Sequence, residues 1–209
     1  MNKDIDIINS SNYGNLMEAA GAVQVDWSAC IPVSLLSTLE PYAESLGVTL
    51  DFVLLPFLSA SAGMSQFASV LVKEGGTWFE PCVIWSIALG LSGCNKSGAG
   101  NTIAQALEKT QLLIDELNLS KDASSDTKRY PIYEQNIQVT PSKLHSMMAD
   151  NAGKLLIGFN EIDMFLDQMM GDVATILLSM YNSSKINKAT CYRGKETIPE
   201  SRLNVYGEY

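Results

Sequence analysis

VIWSIALGLSGCNKSGAGN, residues Val83 to Asn101, decides how this chain is read. An apolar run, Val83 to Leu89, meets Gly90-Leu91-Ser92-Gly93-Cys94-Asn95-Lys96-Ser97, and a helix-like segment follows. The run is one residue away from the phosphate-binding pattern G-x-x-x-x-G-K-[ST], with Asn95 where the second glycine belongs. Such a loop needs backbone N–H groups aimed at phosphate, a helix N-terminus behind them and an ammonium near the terminal phosphate. Gly90 and Gly93 permit the sharp backbone path, Cys94, Asn95 and Gly98 complete the cradle, and Lys96 supplies the ammonium. Ser97 offers a hydroxyl to magnesium. Asn is the side chain that best tolerates left-handed backbone angles, so Asn95 is expected to keep the loop's shape while adding an amide beside the phosphates.

About 60 residues on, Leu155-Leu156-Ile157-Gly158-Phe159-Asn160-Glu161 reads as a buried strand ending in a polar pair. An Asp-Glu pair is the usual partner of a phosphate loop: the Asp anchors magnesium through water, and the Glu polarises the attacking water. Here Glu161 is the candidate base. Asn160, at the metal position, can hydrogen-bond a magnesium-bound water but lacks the charge. The bland alternative is a strand followed by a helix start, with Asn160 as cap and Glu161 in the first turn.

The rest of the pattern alternates. Asp26 to Leu46 and Leu50 to Ala62 have helical spacing, with Pro32 suited to a first turn, Thr49 as cap and Pro56 inside the second segment. Phe67 to Val72 reads as a strand and Gly75-Gly76 as a turn. Asn101 to Leu117 is an amphipathic helix, Asn118 to Tyr130 a polar surface loop, and Ile137 with Val139 a small strand. Thr140-Pro141 opens a helix through about Asp150 that Asn151-Ala152-Gly153 ends. From Ile162 one helix runs to Met180, Ser183 to Glu200 is polar, and Leu203 to Tyr206 starts a strand that the chain end cuts short. This order predicts an α/β fold, a P-loop NTPase (RecA/AAA+-like) core with a mostly parallel sheet, at 81–209 and C-terminally incomplete. A small helical region with a short strand pair, 1–80, precedes it.

Bulk properties narrow the function. The 209 residues are 46% hydrophobic and 18% charged, a globular composition. A net charge of -9 gives no general pull towards nucleic acid, so DNA would be met through domains outside this chain. No signal-like start and no long apolar run are read, so an intracellular, membrane-free setting is expected. Cys30, Cys82, Cys94 and Cys191 lack metal spacing, and His145 reads as a solvated or capping residue. Arg193 and Arg202 read as exposed, and the Met-rich helix (Met164, Met169, Met170, Met180) and Trp27, Trp78 and Trp85 as packing residues.

Taken with Trp78 and Pro81, Gly90 to Ser97, Gln138-Val139-Thr140-Pro141-Ser142-Lys143-Leu144, Phe159-Asn160-Glu161, Tyr181-Asn182 and Cys191-Tyr192-Arg193-Gly194, the chain resembles the helicase-like P-loop domain of unknown function in primase-helicases of phages, plasmids and other mobile elements, the YfjI-like family. The resemblance spans about Pro32 to Gly207. It implies a RecA/AAA+-like ATPase core with ATP and magnesium as ligands, nucleic-acid remodelling as the broad role, and a homo-oligomer in which a neighbour completes the site. Asn95 and Asn160 depart from the family pattern at the positions most directly tied to turnover. Two further readings remain beside it: a scaffold that binds nucleotide without turning it over, and a P-loop nucleotide kinase.

Overall fold

The structure, a computed structural model, describes residues 25–65, 68–91, 93–121, 133–137, 140–169, 174–183, 185–190 and 194–208. Two compact units are distinguished, Met1–Thr38 and Leu39–Tyr209. The described part of the first holds a 3-10 turn, Trp27–Ala29, whose cap Asp26 accepts from the Ser28 amide and hydroxyl. Helix α1 (Val33–Leu46) begins directly after Pro32, and the division between the units falls within it.

The second unit is built on a four-stranded, all-parallel sheet in the order β3-β8-β5-β4, namely Trp85–Ala88, Arg202–Glu208, Lys154–Phe159 and Tyr133–Gln135. Helix α2 (Leu50–Met64) precedes β3 in the chain. Parallel strands need long crossovers, and these run through helices α3 (Lys96–Lys121), α4 (Pro141–Asp150), α5 (Asp163–Met169) and α6 (Ala174–Tyr181). Two antiparallel pairs lie outside the sheet: β1 (Ser69–Leu71) with β2 (Phe79–Pro81), and β6 (Ile186–Thr190) with β7 (Gly194–Ile198).

Side chains alternate across the sheet, so each face gets its own layer. Leu155, Ile157, Phe159, Leu203 and Val205 pack with Leu144 and Met148 of α4, Phe165 of α5, and Leu177 and Met180 of α6. On the other face Leu156 packs with Ala60 of α2 and Leu107 of α3, flanked by Ile103 and Tyr133. A sheet covered on both sides accounts for the near-continuous apolar run of β5, five of whose six residues are buried. Trp85 joins the first layer by edge contacts to Phe165 and Tyr181, and its indole N–H donates to the Leu203 carbonyl. Ser86 faces the other way and shares a buried hydroxyl hydrogen bond with Ser59 of α2.

Local chemistry explains the element boundaries. The Thr140 hydroxyl accepts from the Lys143 amide, Pro141 occupies the first turn, and α4 stops at Asn151 before Ala152 and Gly153, both at positive φ. Gly153 cannot be replaced, since an added Cβ would sit 2.1 Å from the Glu200 carbonyl oxygen. Thr49 precedes α2 in an extended conformation but its side chain makes no capping bond, and Pro56 lies inside the helix.

Several expectations need correction. Residues 118–121 continue α3 rather than opening a loop; 122–130 lie outside the described residues. The small strand is Tyr133–Gln135, not Ile137; Val139 lies outside the described residues. The helix from Ile162 is described as α5 and α6, with 170–173 undescribed between them. The polar stretch from Ser183 holds the β6–β7 hairpin, and β8 spans all of Arg202–Glu208. His145 is not solvated but 1% exposed. Arg202 is also buried, paired with Glu200 at 2.6 Å and donating to the Ala68 carbonyl and the Ser69 hydroxyl, which pins β1 to β8.

Candidate functional site

All four strands of the sheet point the same way, so their carboxyl ends form one edge. The register sets Ala88 beside Glu208, Gly207 beside Phe159, and Gly158 beside Gln135. The loop after β3 and the Asn160-Glu161 pair after β5 therefore leave the same edge. They are two strands apart, about 10 Å, with β8 between them.

The loop carries two left-handed residues, one of them at the position where the glycine pattern is substituted. Gly93 has φ +85°, Asn95 has φ +60°, and α3 begins at Lys96. Left-handed residues stand either side of Cys94, and the head of α3, the end of a helix that favours negative charge, follows directly. The Cys94 amide donates to the Leu91 carbonyl at 3.2 Å and the Gly98 amide to the Asn95 carbonyl at 3.0 Å, closing two tight turns. Ser92 lies outside the described residues.

Two glycines are there for space. A Cβ on Gly90 would lie 2.7 Å from Cys94 Sγ and 2.8 Å from Phe52 Cζ. A Cβ on Gly98 would lie 2.7 Å from Asn95 Oδ1. The Asn95 amide is anchored: Nδ2 donates to the Leu46 carbonyl at the end of α1, at 2.7 Å. Lys96 folds back across the loop, with Nζ donating to the Gly90 carbonyl at 3.2 Å. Ser97 is exposed in the first turn of α3.

At the second strand the geometry departs from a helix cap. Helix α5 starts at Asp163, so Asn160 and Glu161 lie in a bend before it. Asn160 is held from β4 instead: Gln135 Nε2 donates to Asn160 Oδ1 at 2.9 Å, and the Asn160 amide donates to Asn136 Oδ1 at 2.7 Å. Asn136, at φ +50°, bends the chain out of β4 to make that contact. Glu161 is exposed, as is Asp163.

Residues that the sequence pattern did not single out complete the edge. Glu208 ends β8 with 2% exposure, and its Oε1 accepts from the Tyr206 hydroxyl at 2.8 Å. Burial, the Glu208 charge and this hydrogen bond hold the Tyr206 phenol well above its ordinary pKa. Burial, then the charges of Glu108 and Glu208, do the same for Tyr133. A narrow cavity between α3 and the sheet is lined by Gly100, Tyr133, Gln135, Asn160 and Tyr206 among others. Only the isolated Glu at the end of an apolar strand could have drawn attention to it in the sequence.

These donors fit a polyphosphate better than a free metal ion. The left-handed pair and the helix head suit anionic oxygens. Ser97 and Asn160 offer neutral oxygens only, so a magnesium ion there would depend on phosphate oxygens for its charge balance. Among the described residues no group of three or more His, Cys, Asp or Glu side chains could hold a metal ion by itself.

The fold and edge define an α/β protein whose all-parallel sheet carries, at its carboxyl end, a turn with two left-handed residues leading into the head of a long helix. No family model, curated protein or solved structure matches the chain. No helix among the described residues is long and apolar enough to cross a membrane.

Proposed function

We propose that this chain is the nucleoside-triphosphate-binding core of a helicase-like ATPase of the P-loop kind, acting in replication of a mobile element, phage or virus. The observation that carries the reading is Asn95 at φ +60° immediately before the helix that Lys96 begins. A left-handed residue at that place is what the pattern's glycine would give, and asparagine supplies it.

In this reading the amides of Asn95, Lys96 and Ser97, at the head of α3, donate to the β- and γ-phosphate oxygens, and Lys96 exchanges the Gly90 carbonyl for the terminal phosphate. Ser97 and Asn160 are the residues that would hold a magnesium ion brought in with ATP, or its waters, and the ion would supply positive charge to the phosphates. Glu161, exposed at the same edge, orients and deprotonates the attacking water. With a net charge of -9, DNA contact falls to domains outside this chain, and in this reading a neighbouring copy would supply an arginine.

A second reading, nucleotide binding without turnover, is favoured by Asn160. Its carbonyl oxygen is engaged by Gln135 and its side chain carries no charge, so it serves as a strut between β5 and β4. Equilibrium ATP binding with and without magnesium, set beside single-turnover hydrolysis, separates the two. Binding with hydrolysis supports the ATPase, and binding without it supports the scaffold. ATP binding that is absent, or indifferent to Lys96→Ala, defeats both.

A further inference from the structure

Glu208 is a buried carboxylate that nothing above uses. One oxygen takes the Tyr206 hydroxyl; the other, Oε2, is buried and has no hydrogen-bond partner among the described residues. Burying a carboxylate with half of its acceptor capacity idle is unfavourable, and chains keep such groups where a cation or its water shell completes them. The carboxylate is packed closely against α3. Gly100 of α3 presses on the carboxylate so closely that a Cβ there would lie 2.0 Å from Oε1 and 2.9 Å from the Tyr206 oxygen. Gly100 and Tyr206 both line the narrow cavity that reaches Asn160.

The position is as telling as the burial. Glu208 sits on the central strand, beside Ala88 at the root of the loop and one step past the Gly207–Phe159 pair, hence alongside Asn160. Its backbone carbonyl accepts from the Ile162 amide at 2.8 Å, which fixes the end of β8 to the turn that carries Glu161. Along α3, Lys96 and Ser97 precede Gly100 by four and three residues, one helical turn above it on adjoining faces.

We infer that Glu208 supplies the negative charge that Asn160 lacks: its carboxylate accepts from water bound to the nucleotide's divalent cation, so the acidic group of the cation site has moved one strand over, from β5 to β8. This rests on the nucleotide reading above. Glu208 is a positioning residue: it is too deep to touch phosphate, and it acts through the cation's water. The cation's selectivity for a hydrated, oxygen-bound ion such as magnesium follows, since that ion keeps several of its waters when bound.

The test measures ATP affinity with and without magnesium for the full chain and for Glu208→Gln, Glu208→Asp and Lys96→Ala. Removing an outer-shell partner of a metal typically lowers affinity ten- to a hundredfold. Glu208→Gln is therefore expected to bind magnesium-free ATP as the unmodified chain does, and to lose about tenfold of the enhancement that magnesium gives. Glu208→Asp, which keeps the charge, should retain most of that enhancement. A Gln variant that keeps the full enhancement overturns the inference, as does equal loss in the Asp and Gln variants, or a Gln variant that no longer folds, which would make the carboxylate structural. Lys96-independent ATP binding removes the underlying nucleotide reading and this inference with it. Lys96-dependent binding with magnesium dependence untouched by Glu208→Gln removes the inference alone.

Discussion

Asn95 and Asn160 are the same residue in two different jobs. At Asn95 the pattern's glycine is wanted for its backbone, and asparagine delivers it: φ is +60°, and the side chain finds a use on the Leu46 carbonyl. At Asn160 the pattern's aspartate is wanted for its charge, which an amide cannot deliver. The side chain has been absorbed into the packing of β4 on β5 through Gln135. A backbone requirement can be met by a second residue type with the same conformational tolerance, whereas a lost charge has to be made good elsewhere in the site.

The sharpest way to break this contrast is at its hinge. Lys96→Ala removes the one ammonium in the loop, and hydrogen bonds to charged groups contribute about 1.5–3 kcal/mol, so ATP affinity should fall roughly ten- to a hundredfold in a calorimetric titration. Next comes Asn95→Val. A β-branched residue at φ +60° costs on the order of 1–3 kcal/mol, to be read as a lower denaturation midpoint together with weakened ATP binding. Asn160→Asp, which can still accept from Gln135, should change magnesium-dependent single-turnover hydrolysis by less than about tenfold, since Glu208 already supplies the charge; a gain of roughly ten- to a hundredfold would mean that the charge is missing from the site. Asn95→Gly should change ATP affinity least of the four, since glycine adopts the same backbone freely. Its stability should drop by at most about 1 kcal/mol for the exposed hydrogen bond to Leu46.

The smallest effect at neutral pH concerns the phenols. Tyr133 and Tyr206 have folded pKa values raised above the ordinary 10.0, so the native state favours the neutral phenol. Their stabilisation is complete below that ordinary value and is lost as pH climbs from it through the raised values. Tyrosinate absorbance should show both resisting titration beyond pH 10 until the chain unfolds.

Much of the sheet and its helices was legible because their signals are local. The apolar runs before Gly90 and through Phe159, the Thr140-Pro141 start and the spacing after Asn101 each specify an element within a dozen residues. What escaped was set by tertiary context. Tyr133-Glu134-Gln135 is too short and polar to show alternation, and it is a strand because it pairs with β5. The β6–β7 hairpin is equally polar along its length. His145 and Arg202 look like surface residues until the layers bury them, Arg202 because Glu200, Ala68 and Ser69 accept its hydrogen bonds. At the site, the loop's members were readable from spacing. Gln135, Asn136, Tyr206 and Glu208 were not, since only the register of a parallel sheet brings three distant segments to one edge.

The placement of β8 has a consequence for biosynthesis. Residues 202–208 lie between β3 and β5 and are bonded to both, although β3 is translated more than a hundred positions earlier. At bacterial or eukaryotic elongation speeds that interval is on the order of ten seconds. Throughout it the inner side of β3, and from its own synthesis onward that of β5, is an open template for pairing with other nascent chains. When β8 arrives it closes that gap with a side chain as well as its backbone: Asn204 Oδ1 accepts from the Ile84 amide just ahead of β3.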